Sequence, residues 1–166
     1  MQVQTIILIL VSALGGIYDL KFRKIPNWLS LGTILVFLIF NLFNLKVNEI
    51  LNCIFGFIVG MGLLFIPYLM GGMGAGDVKL LGAIGSIVGF KGVILVFLYS
   101  SISGMLMGLA WLILTPGHLK FLITTGQMLP VTDKKQKVPY GIAIFLGTIL
   151  YITFGKSSFF NIYLWQ

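Results

Sequence analysis

Charge is what this chain lacks. Only 9% of its 166 residues are charged, against about a quarter in soluble domains, so there is too little polar surface to solvate a globular module. Four residues are acidic (Asp19, Glu49, Asp77 and Asp133), against eleven Lys and Arg. Cysteine occurs once, as Cys53, which excludes an intrachain disulfide and a multi-cysteine zinc site. His118 is equally alone, so no protein-bound metal is expected. A net charge of +7 would suit nucleic acid, but no basic face with interleaved aromatics exists outside the apolar runs, and no nucleic-acid partner is expected. The basic residues instead flank apolar runs, as in Lys21, Arg23, Lys24 and Lys134, Lys135, Lys137. That is the pattern of topology signalling by the positive-inside rule.

What the chain has in quantity is apolar sequence, at 58% of residues. A helix needs about 20 apolar residues to cross a bilayer. Six candidates emerge: 3–19, 28–45, 50–70, 78–90, 93–114 and 140–154. The fold class expected is therefore all-α, a polytopic membrane protein of about six transmembrane helices, with residues 1–166 as a single transmembrane domain in the lipid bilayer. The fourth candidate is short and is divided from the fifth by Gly89-Phe90-Lys91-Gly92, a charge between glycines that reads as a turn. The first run has no basic residue before it and no Ala-x-Ala-like cleavage site, so it reads as a retained span rather than a signal peptide. The piece at 119–129, between Pro116 and Pro130, reads as an interfacial helix or a lid, and the aromatic tail (Phe159, Phe160, Tyr163, Trp165) as an interfacial belt. No internal repeat is visible, and nothing in the sequence sets an oligomeric state.

Six crossings with the Asp19 loop in the cytoplasm place Lys21, Arg23, Lys24, Lys79, Lys120, Lys134, Lys135 and Lys137 inside. Only Lys46, Lys91 and Lys156 remain outside. The bias predicts both termini outside. It also brings the end of the first span and the glycine break before the fourth to one membrane face, where Asp19 and Asp77 can meet.

An ionised carboxylate near the hydrocarbon costs on the order of 2.5–3.5 kcal/mol on insertion scales, which makes an intramembrane acid a functional-site hypothesis by default. Two carboxylates about 3 Å apart share one proton, so one can act as general base on water while the other holds the proton for a scissile carbonyl and the leaving amine. The glycines of Gly74-Ala75-Gly76-Asp77 would let an extended peptide lie close to the acid; alone they fit a helix-packing motif equally well. Lys79 either biases the acid pair or marks the cytoplasmic face. Ile25-Pro26-Asn27 is a stop-and-turn signal that aims Asp19.

Taken in order, Asp19 followed by Ile25-Pro26-Asn27, then Gly74-Ala75-Gly76-Asp77-Val78-Lys79, then Val138-Pro139-Tyr140-Gly141, resembles the type IV prepilin peptidases and their archaeal preflagellin relatives. The resemblance covers almost the whole chain. It implies a membrane aspartyl endopeptidase that removes the basic leader from pilin-like precursors at the cytoplasmic face. Asp19 and Asp77 would be catalytic. Gly74, Gly76, Lys79, Pro26, Asn27, Pro139, Tyr140 and Gly141 would bind or position substrate, and neither metal nor cofactor is implied. Long bifunctional members carry an extra N-terminal cytoplasmic region with paired cysteines and also methylate the product. This chain starts directly at its first span with only Cys53, so it resembles the short, peptidase-only members serving tight-adherence pili, competence pili or archaeal filaments. Presenilin-like enzymes also pair Tyr-Asp with Gly-x-Gly-Asp, but the Ile-Pro-Asn after Asp19 and the small size favour the prepilin group.

Two other readings stay open. Intramembrane carboxylates and a broken glycine helix also suit a small proton- or cation-coupled transporter, although the glycine break has no clear counterpart near residues 11–16. A scaffold without catalysis would equally use the 14 Phe and 21 Gly for tight helix packing.

Overall fold

A computed structural model describes residues 2–22, 24–43, 47–114 and 140–155. Among them the regular elements are all α-helices: α1 (Gln2–Phe22), α2 (Asn27–Phe43), α3 (Val47–Leu69), α4 (Ala75–Leu114) and α5 (Tyr140–Phe154). The expected piece at 119–129, Pro139 and the aromatic tail lie outside the described residues. Three helices are long and apolar enough to cross a membrane, Val3–Phe22, Val47–Leu69 and Ala75–Leu114, and two shorter apolar helices accompany them, Asn27–Leu42 and Tyr140–Phe154.

Helix ends follow local chemistry. α1 runs three residues past its expected end, so Asp19 sits in its last turn. Proline restricts the residue before it to extended backbone, which stops the chain at Ile25 and lets α2 begin at Asn27, with Leu29 N–H donating to Pro26 O at 3.2 Å. α3 ends in a Schellman motif: Gly72 N–H donates to Pro67 O at 3.1 Å and Gly71 N–H to Tyr68 O at 2.9 Å. Gly71 takes the left-handed conformation at φ 76° that this cap requires.

α4 is assigned as one helix of 40 residues. Straight, it would run about 60 Å, twice the hydrocarbon thickness of about 30 Å. Gly89 breaks it at φ 77°, ψ −179°, a conformation nearly confined to glycine. Two limbs result, 75–88 and 90–114, so the expected fourth and fifth spans are joined at one residue. The break strips amides of their helical partners, which is costly in lipid. Asn52 of α3 answers this: Phe90 N–H donates to its Oδ1 at 3.0 Å. A Cβ at Gly89 would also run into the Asn52 side chain. Gly89→Ala is accordingly expected to cost about 1–3 kcal/mol, read as a lowered midpoint of thermal unfolding in detergent.

The first limb of α4 is the centre of the molecule. Leu80, Leu81, Ala83 and Ile84 have no exposed surface, and neither do Leu64 of α3, Val93 and Val96 of the second limb, or Ile144 of α5. Lipid gives helices no hydrophobic reason to associate, so small residues that admit close backbone approach must do so. Gly56 and Gly60 of α3, spaced i, i+4, meet the first limb at Gly85 and at Leu81–Gly82. Gly147 of α5 meets Ser100 of the second limb, and Gly15 of α1 meets Leu80. Most of the buried hydroxyls are absorbed locally: Ser12, Thr33, Ser100 and Thr148 each donate to the carbonyl one turn back, whereas Ser30 Oγ is buried with no partner among the described residues.

Candidate active site

The aspartates are held at two helix N-termini. Gly74 precedes α4 as its N-cap and Asp77 is its third residue. Gly74 N–H donates to Asp77 Oδ2 at 3.1 Å, and Asp77 N–H donates to Gly74 O at 3.1 Å. This is the backward half of a capping box, in which an acidic third residue satisfies the N-cap amide. Asp77 thus uses one oxygen to start its helix. The other, Oδ1, is buried and accepts no hydrogen bond among the described residues.

Asp19 performs the same service in trans. Its Oδ2 accepts from Gly141 N–H at 2.9 Å, and Gly141 is the second residue of α5. The first four amides of a helix have no intrahelical acceptor, so a carboxylate from the end of α1 fills a vacancy created 122 residues away. Asp77 also lies where the macrodipole of α4 favours negative charge, whereas Asp19 meets the favourable end of α5 and the unfavourable end of α1. They are buried, at 8% exposure for Asp19 and 6% for Asp77.

Both line one cavity of about 560 Å³. Its wall is made by the two motifs singled out in the sequence, Ile25-Pro26-Asn27 and Gly74-Ala75-Gly76-Asp77 with Lys79, together with Tyr18, Phe22 and Lys24. The motifs are fastened to each other. Lys79 Nζ donates to Asn27 Oδ1 at 3.1 Å across the mouth. Gly76 packs on Ile25, whose Cβ would stand 3.0 Å from a Cβ at that position. A side chain before the acid would therefore crowd the extended Ile25-Pro26 turn against which α4 fits.

Tyr140 and Gly141 take part differently. Gly141 lies so close to Asp19 that a Cβ there would be 2.8 Å from the Asp19 Cβ and 3.0 Å from Oδ2. The Tyr140 ring packs on Gly104 of the second α4 limb. Neither lines the cavity, and Pro139 lies outside the described residues. Tyr18, Phe22, Lys24, Ile25 and Ala75 line it without having been singled out for positioning. All five lie inside the named motifs or within three residues of a named residue, which is the signal that could have found them. No cluster of His, Cys, Asp and Glu that could hold a metal occurs among the described residues. The arrangement offers two acids, one with a spare buried oxygen, beside a space large enough for an extended peptide.

Comparison with known proteins adds a family. The sequence family whose model matches residues 6–109 is the type IV leader peptidase family. That stretch contains Asp19, the Ile-Pro-Asn turn and Asp77, while Tyr140 and Gly141 lie beyond it. A Bacillus subtilis (strain 168) protein named prepilin leader peptidase/N-methyltransferase is 29% identical over 148 residues, covering 86% of this chain and 52% of the relative. The chain thus spans about half the length of the curated relative it matches. No solved structure matches it.

Proposed function

Because the chain belongs to the type IV leader peptidase family, we propose that it is an aspartic endopeptidase, cutting the leader from pilin-like precursors with Asp19 and Asp77 as the catalytic pair. The observation that carries the reading is the shared cavity: two buried carboxyls from distant parts of the chain, each anchored by one oxygen to a helix N-terminus. Anchoring only one oxygen of Asp77 leaves Oδ1 for chemistry.

The reaction then runs on a proton shared by the pair. One carboxylate takes a proton from water as the oxygen attacks the scissile carbonyl. The other, protonated, polarises that carbonyl and later supplies the proton for the departing amine. The titration belongs to the dyad, and neither residue is assigned one step alone. Gly74 and Gly76 keep side chains away from a peptide passing Asp77, and the Lys79–Asn27 hydrogen bond holds the mouth in shape. Pro26 sets the turn beside Asp19. Gly141 and Tyr140 seat α5 so that its N-terminus grips Asp19.

The excess of basic residues on the loops beside the aspartates supports an active site at the cytoplasmic face of the cell membrane, with both termini outside. We propose leader cleavage alone for these residues, without metal or cofactor. The direct test is purified protein in proteoliposomes with a type IV pilin precursor, cleavage being located by mass spectrometry. A single cut between basic leader and apolar segment is expected, and it should persist in EDTA. Loss of cleavage on chelation, restored by a divalent ion, would overturn the two-carboxylate mechanism.

Lys79→Met tests the clasp. One hydrogen bond from a charged donor at an exposed site is lost, worth about 1 kcal/mol at most, so the midpoint of thermal unfolding is expected to fall by no more than about 4 °C and kcat/KM by up to about fivefold. A rate equal to wild type would remove Lys79 from the positioning set.

A further inference from the structure

A second cavity, about 260 Å³ and apolar, lies between α1 and α2. Ile7 lines it from α1, and Trp28, Gly32, Val36 and Phe37 line it from α2. Asn27, the first residue of α2, lines the aspartate cavity and the next residue, Trp28, lines this one, so the two spaces adjoin along the start of one helix. At the junction, the Tyr18 ring meets Trp28 edge-on at 6.3 Å. From residue 28 to residue 37 the helix advances about 14 Å, close to half the hydrocarbon thickness.

The groove is left open by the chain itself. α1 and α2 touch only sparsely. Trp28 and Val36 are 63% and 58% exposed. At Gly32 a Cβ would meet nothing within 4 Å, as at Gly62 of α3 and Gly108 of α4, but of these three only Gly32 lines either of the two cavities; Gly15, Gly56, Gly60 and Gly141 are each pressed against a neighbour. Packing within the described residues therefore does not account for glycine at position 32. In a membrane, a small residue on a helix face is what permits another helix to approach closely.

We propose that this groove receives the apolar helix of the precursor immediately beyond its scissile bond, so that the substrate is chosen by an intramembrane helix as well as by its leader. The proposal rests on the leader-peptidase reading. Continuity selects this occupant: a chain with a peptide bond at the aspartates and an apolar helix attached to it fills both spaces at once. A lipid acyl chain or a second copy of the protein would use the groove alone.

Two measurements test it in proteoliposomes of phosphatidylethanolamine and phosphatidylglycerol. In the first, a photoreactive side chain replaces Val36 in the full chain carrying Asp77→Asn, with a second version bearing it instead at Leu106, which is 63% exposed on the far limb of α4. The precursor's apolar segment is expected to be captured from position 36 and not from 106. Capture of lipid only, of a second copy, or of the chain's own residues 115–139 overturns the proposal. So does equal capture from both positions. In the second, Gly32→Leu in the otherwise unaltered protein fills the groove where no neighbour stands. KM for the precursor is expected to rise on the order of tenfold while kcat stays within about twofold, the pattern of lost binding shared by ground and transition states. An unchanged KM overturns the groove as the docking site. The two readings fail separately: an unaltered protein that does not cut the precursor defeats the peptidase assignment, whereas normal cutting without capture at position 36 defeats only the groove.

Discussion

Asp77→Asn and Asp19→Asn are each expected to abolish precursor cleavage, by at least about 10³-fold. A positioned general acid or base contributes about 10²–10⁴-fold, and a dyad sharing one proton has no substitute for either member. The amide is the right replacement because of how each acid is held. Asn keeps an oxygen that can accept from Gly74 N–H at position 77 or from Gly141 N–H at position 19, so both helix caps survive. What it removes is exchange of a proton with water. Thermal unfolding in detergent should therefore shift by no more than about 4 °C, the equivalent of roughly 1 kcal/mol for a protein of this size. A well-folded Asn variant at either position that still cut its precursor at near the original rate would falsify the mechanism. Ser at either position should be worse for stability, since its shorter hydroxyl cannot span to the capped amide.

Gly141→Ala should be the most damaging change of a residue outside the cavity wall. The added methyl falls 2.8 Å from the Asp19 Cβ and 3.0 Å from Oδ2, so either α1 or α5 has to move. Both are tied elsewhere, α5 by Gly147 against Ser100 and α1 by Gly15 against Leu80. The carboxyl is the part that yields. A displacement near 1 Å of a reacting group costs about 10²-fold, and a loss of that order in kcat is expected, with KM for the precursor little altered. Measuring kcat and KM separately distinguishes this from damage to the docking groove, where KM moves instead. Full activity in Gly141→Ala would show that the Asp19 position is not set by α5.

Much of the fold was legible in the sequence for a simple reason. Whether a run can span depends mainly on its summed transfer free energy, which needs no knowledge of neighbours. The helices at 50–70 and 140–154 were placed within three residues of their ends, and the break between the fourth and fifth spans was placed at the right glycine cluster. The ends that were missed have local causes. α1 runs on through Lys21 because nothing before Pro26 forbids helix. α4 starts at Ala75 because Gly74 and Asp77 cap it, a capping box written with glycine in place of Ser or Thr and therefore easy to overlook.

Most of the cavity wall was legible as a set of residues and illegible as an arrangement. Asp19, Asp77 and the Ile-Pro-Asn and Gly-Ala-Gly motifs stand out because acids are scarce and glycine and proline interrupt apolar runs. Nothing in the sequence announces that Lys79 reaches Asn27, 52 residues away, or that Asn52 supports the break before Phe90, 38 residues away. In a soluble helix the apolar stripe shows which face is buried. Here lipid-facing and core-facing residues are alike apolar, so Ile17 and Leu20 look no different from Leu8 and Val11 although the first pair is exposed and the second buried. The rotation of each helix is then set by where glycines allow backbones to touch, and that depends on partners distant in the chain. The residue order alone determined which segments belong in the bilayer and which acids stand beside them. Asp77 caps its own helix through a local motif; packing alone decided that Asp19 caps a distant helix beside the same space, because an unsatisfied amide in a low-dielectric interior takes whichever carboxylate the fold brings within reach.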